Sequence, residues 1–85
     1  MNVFKYPVDV CDVIKVSLPH GAKPLHFGFQ NDQLCLWALV TPENPKMEYA
    51  FRMAGTGHPI DTCGEFINTL MCRDNTLVFH FFHMS

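Results

Sequence analysis

The densest chemistry in the sequence lies in residues 51–60, FRMAGTGHPI. Gly55 and Gly57 flank Thr56, so the backbone there reaches conformations closed to other residues and lets a ligand approach closely. Successive N–H groups in such a turn form a nest for an anion. His58 adds a donor or general base, Pro59 fixes the exit, and Thr56 and Arg52 supply further donors. A phosphate or carboxylate is the ligand class these groups suit. The bland reading stands beside it, since Gly, Thr and Pro gather in turns between strands for conformational reasons. The pattern is neither a phosphate-binding G-x-x-x-x-G-K nor a G-x-G-x-x-G opening a helix.

A second group of residues depends on strand pairing. Asn31-Asp32 is a two-residue connection of residues that tolerate left-handed backbone. A tight hairpin there sets Phe29 opposite Leu34, Phe27 opposite Leu36 and Leu25 opposite Ala38, and places His26 across from Trp37 and Gly28 across from Cys35. The TPENPK loop then returns the chain antiparallel, so that Leu36 meets Phe51 and Leu34 meets Met53. Both registers put Leu25, Phe27, Phe29, Leu34, Leu36, Phe51 and Met53 on one core face. The opposite face carries His26, Trp37, Gly28, Ala50 and Arg52. It reads either as a shallow binding floor, with Trp37 to stack a base and Lys23 as a further phosphate donor, or as an interface anchored by aromatic and Arg side chains.

Catalytic and metal-binding arrangements are less well supported. Cys35 falls in a central strand, where buried thiols are mostly inert, and no positioned nucleophile completes a triad with His58 and Asp61. Cys63, Cys72, His80 and His83 form a four-ligand set on paper. His80 and His83, however, are three apart in an apparent strand and point to opposite faces. The expectation is therefore a non-enzymatic chain with no cofactor and no metal.

The elements that position these residues are strands: an extended piece near 4–10, then 13–18, 24–30, 33–40, 47–54, 65–72 and 76–83, with at most a short helical turn at 60–63. The last two form a hairpin on Asp74-Asn75, with Leu70, Phe79 and Phe81 on one face and Ile67, Met71, Val78 and Phe82 on the other. A strand apolar on both faces must be covered twice, and in a small domain a second copy can supply that cover. The fold class expected is all-β: a compact antiparallel sheet, sandwich or small barrel of six to seven short strands joined by hairpins, forming a homo-oligomer.

At 85 residues the chain makes one domain that buries only roughly 60–65% of its unfolded surface. The net charge is −2, with no basic block, which argues against extended nucleic-acid binding. No run approaches a membrane span, and the N-terminus lacks a secretory apolar region. Its four cysteines then read as reduced thiols of a cytoplasmic protein rather than a disulfide framework.

FKYPV near the start, LPHGAKPLHFGFQNDQLCLWALVTPENP in the middle and FRMAGTGHPI after it resemble the motifs of a family of small, uncharacterised bacteriophage proteins. The similarity is specific through residues 18–60 and looser beyond Asp61. Asp32 stands where that family usually has Gly, and Thr41 where Asp is common. The resemblance transfers no catalytic residue. It implies a phage product made in the host bacterial cytoplasm, of a kind that often acts stoichiometrically. Two functions follow as expectations. One is sequestration of a small anionic, nucleotide-like ligand, with a host anti-phage immune signal as a candidate, by Arg52, Gly55, Thr56, Gly57, His58, His26, Trp37 and Lys23. The other is inhibition of a host or phage protein through an exposed strand edge or aromatic face.

Overall fold

The computed structural model describes residues 1–60, 64–72 and 76–84. Among them there is no helix, and seven strands form: β1 Asn2–Pro7, β2 Val13–Pro19, β3 Lys23–Gln30, β4 Gln33–Val40, β5 Lys46–Gly55, β6 Glu65–Cys72 and β7 Leu77–His83. They make a three-stranded sheet, β1-β4-β3, and a four-stranded sheet, β2-β5-β7-β6, with every pairing antiparallel. The all-β expectation holds, in its sandwich form.

The β3–β4 hairpin follows from its turn. Asn31 and Asp32 have φ of 51° and 64°, the left-handed pair a type I′ connection requires. Phe29 faces Leu34, Phe27 faces Leu36, and His26 faces Trp37, as the turn dictates. The expected Leu25–Ala38 pair is replaced by Pro24–Ala38, because the register shifts between Pro24 and His26. That bulge leaves Leu25 40% exposed. It sits beside a proline that cannot donate to the ladder. Phe29, also assigned to the core, is 40% exposed at the end of its strand.

The expected pairing of β4 with β5 does not form. The 41–46 loop carries the chain across to the other sheet, tied to the β2–β3 connection by Asn44 Nδ2 to His20 O at 2.9 Å and His20 N to Pro45 O at 2.8 Å. β1 takes the place beside β4, with Phe4 opposite Ala38 and Tyr6 opposite Leu36. β5 instead pairs with β2 and β7. Phe51 and Met53 therefore meet Phe27, Leu34 and Leu36 across the sandwich rather than along one sheet, and all five are buried. Phe27 is the hub. It contacts Phe51 edge-on at 5.3 Å between ring centroids and stacks on Phe81 at 4.4 Å.

The β6–β7 register is the one Asp74-Asn75 implies, with Leu70 opposite Phe79 and Met71 opposite Val78, although the turn itself lies outside the described residues, as do residues 61–63 of the suggested helical turn. A shift between Phe66 and Asn68 turns Ile67 from the outer face, where alternation puts it, to pack against the core.

The two sides of the sandwich differ. At the β3–β6 side the Asn68 carboxamide accepts from Phe27 N and donates to Phe27 O, both at 2.9 Å. It thereby occupies edge groups of β3 that no strand reaches. At the β1–β2 side a cleft of about 460 Å³ lies between Pro7–Cys11 and Ile14–Ser17.

Candidate functional site

The Gly-Thr-Gly-His segment is the start of a crossover. β5 and β6 both run antiparallel to β7, which lies between them, so they are parallel to each other. Thr56 still faces outward, where its Oγ1 meets His80 Nε2 at 2.8 Å.

Local bonds fix how it leaves. Thr56 N donates to Val78 O at 3.3 Å, extending the β5–β7 ladder, and His58 N donates to Gly55 O at 3.1 Å, closing a turn. Gly57 carries φ of +86°, the left-handed value that turn needs. A Cβ on Gly55 would stand 3.1 Å from the His58 ring, so glycine there lets the imidazole fold back over the chain. Two amides of the expected anion nest are thus spent inside the fold, and the exposed His58 ring lies over Gly55.

Arg52 also projects from the outer face of β5, two residues before Ala54, which pairs with His80. Its Nη1 donates to Asp12 O at 3.2 Å and to Met53 O, with the Asp12 carboxylate 3.7 Å away. The guanidinium pins the start of β2 to β5. Arg52 and Thr56 therefore share the outer face with two residues the sequence reading did not assign to a ligand site, His80 and Thr69. The His58 ring lies on the other side of β5, where a Gly55 side chain would point toward the face that Phe79 presents. Thr69 Oγ1 meets His80 Nδ1 at 2.9 Å, so both ring nitrogens of His80 are held by threonine hydroxyls. The signal for this was available: Thr69 is opposite His80 in the register Asp74-Asn75 implies. Phe82 and Phe66 complete the face, edge to face at 5.6 Å.

His26, Trp37 and Lys23 belong to the other sheet, and the single floor expected from all eight residues is not assembled. The physical reason is the 41–46 loop, which moves β5 out of the β4 sheet and carries Arg52 with it. His26 and Trp37 do pair, 6.2 Å between centroids and tilted by 47°. Both rings lie over Gly28, where a Cβ would stand 3.1 Å from His26 Nε2 and 3.5 Å from Trp37 Cζ3. The rings cover the bare backbone of an edge-strand glycine, a packing role. Lys23 is exposed near the start of β3, opposite Leu39. On the same face Lys5 Nζ reaches over β4 to Gln30 Oε1 at 2.6 Å, and Cys35 beneath is 1% exposed.

His80 and His83 project to opposite faces. The His83 ring packs inward against Tyr49 and Phe51, at 5.6 and 5.2 Å. Among the described residues no group of three or more His, Cys, Asp or Glu side chains converges as a metal site. Cys11, Cys35 and Cys72 are free thiols, and Cys63 lies outside the described residues. A second cleft of about 630 Å³ opens at one end of the sandwich, lined by Phe29, Met53, Leu70, Leu77 and Phe79 among others.

Compared with known proteins, the whole chain, residues 1–85, matches the model of a domain of unknown function, DUF7352, and the chain belongs to that family. No curated protein and no solved structure matches it.

Proposed function

We propose that this member of the DUF7352 family is a non-catalytic binding module that engages a partner protein through the exposed strand edge on its β1–β2 side. The observation that carries this is the contrast between the two sides of the sandwich. One is capped by the Asn68 carboxamide, while the other presents a cleft between edge strands. An unpaired edge is a template for an added strand. Following the phage resemblance, the module acts stoichiometrically in an infected bacterial cytoplasm.

The test uses proline. Lys15→Pro removes an N–H that points away from β5, so the ladder keeps its bonds while the edge loses a donor. Val16→Pro, by contrast, removes a ladder bond and should cripple folding. Extended peptides selected from a display library on the wild-type chain are expected to be lost by Lys15→Pro and retained by Trp37→Ala. Retention of all of them by a folded Lys15→Pro variant would rule this edge out.

Capture of an anionic, nucleotide-like ligand is the second reading, favoured by the grouping of Arg52, Thr56 and His80 on the outer face with Phe66 and Phe82. Cyclic nucleotides and ADP-ribose derivatives provide the panel. A ligand at a hundred times its dissociation constant should stabilise the fold by about 2.7 kcal/mol, and Arg52→Gln should remove that shift. A flat melting temperature across the panel at millimolar concentration counts against capture.

A further inference from the structure

Backbone groups along β2 alternate between β5 and the open side. Met53 N donates to Asp12 O at 2.9 Å, and in the β2–β5 register this makes Ile14, Val16 and Leu18 the residues bonded to β5. Val13, Lys15 and Ser17 then direct their N–H and C=O groups outward. The Val13 carbonyl is met on that side by the Cys11 thiol, 3.1 Å away. Side chains at the same three positions are exposed on the outer face, and Lys15 is the charged one among them. Asp12 is engaged by Arg52, and Glu48 lies one strand further in, beside Ser17. On the inner side Val8, Ile14 and Val16, at 8%, 2% and 9% exposed, line the cleft.

A strand laid along this edge meets two environments in turn. Its residue opposite Lys15 stands in solvent beside an ammonium group, and that residue's neighbours point into the cleft. There Val8, Ile14 and Val16 supply the apolar part of a lining that also includes Asp9 and Gln33. We propose that the occupant is an extended segment of another protein in which apolar and acidic side chains alternate, with an acidic residue opposite Lys15. This rests on the edge-binding reading above and narrows it to a partner class. A second copy of the chain fits worse. Twofold pairing of β2 with β2 about Lys15 sets two ammonium groups face to face, and like charges there are destabilising.

Two end-blocked seven-residue peptides test this, one alternating valine with glutamate and the other valine with lysine. Binding is read by fluorescence anisotropy, and contact by amide exchange at Val13, Lys15 and Ser17. The glutamate peptide is expected to bind about tenfold tighter, to protect these amides, and to lose its advantage to the lysine peptide in Lys15→Glu. Equal affinity, or an order that survives Lys15→Glu, overturns the charge rule while edge binding stands. Absence of protection by either peptide at saturation overturns both. Concentration-dependent protection of the same amides in the chain alone makes a second copy the occupant, and the proposal fails.

Discussion

A carboxamide carries a donor and an acceptor side by side, the same complement a strand residue shows along its free edge. Asn68 uses both on one residue, accepting from Phe27 N and donating to Phe27 O. Phe27 is itself fully buried and central to the aromatic core, so water is a poor substitute. Asn68→Ala is expected to cost about 1–3 kcal/mol, the usual penalty for a stranded polar group. Asn68→Asp should cost at least as much, because a carboxylate cannot donate to Phe27 O. Urea denaturation of the three chains measures both. Tyr6 gives a second handle. Burial raises its pKa above the ordinary 10.0, so the folded state holds this proton more tightly than the unfolded one. Tyr6 therefore contributes no pH dependence near neutrality, and stability falls as pH rises from about 10 through the folded-state value. Tyr6→Phe should flatten that alkaline loss, seen as a converging difference in melting temperature between pH 8 and 11.

At the scale of elements, alternation told which face each strand buries but not which strand lies beside it. Phe27, Leu34, Leu36, Phe51 and Met53 were legible as core residues because period-two spacing is the same whether β5 flanks β4 or faces it across a sandwich. The Asn31-Asp32 turn fixed a register locally, whereas a six-residue loop with two prolines (TPENPK) fixes none, and β5 went to the other sheet. Bulges at Leu25 and Ile67 escaped notice for a related reason: one extra residue flips a side chain without changing composition. Of the candidate site, Arg52 and the 55–58 turn were legible as neighbours because they are contiguous. His80 and Thr69 were not, since recognising them required knowing that β7 lies between β5 and β6 and pairs with both. The exposed edge of β2 makes a direct prediction. Amides of Ile14, Val16 and Leu18 point to β5, and those of Val13, Lys15 and Ser17 point outward, so exchange should alternate along the strand. The inward set should be slower by about a hundredfold or more, and uniform protection would mean the edge is already covered.

For the whole molecule the question is how so short a chain covers β7, a strand that is largely apolar on both faces. The inner face of β7 is closed by the core, with Phe81 fully buried. Its outer face remains, where Val13, Phe66 and Met71 are 41%, 55% and 59% exposed around the half-buried Val78 and Phe82. Self-association through this face is the expectation, and it is distinct from the β2 edge proposed to take a partner. Phe66 is the side chain to test, being the large aromatic among the exposed set. An aromatic side chain of ~150–250 Å² that is half exposed has about 100 Å² left to bury, and burying it is worth about 2.5 kcal/mol at 25 cal/mol per Å². In a twofold dimer the term counts twice. Phe66→Glu should therefore weaken association by at least about a hundredfold in sedimentation equilibrium, while leaving the melting temperature of the dilute chain nearly unchanged, because Phe66 contributes little to the core. A wild-type chain that sediments as a monomer up to high micromolar concentration would remove the second copy from this face.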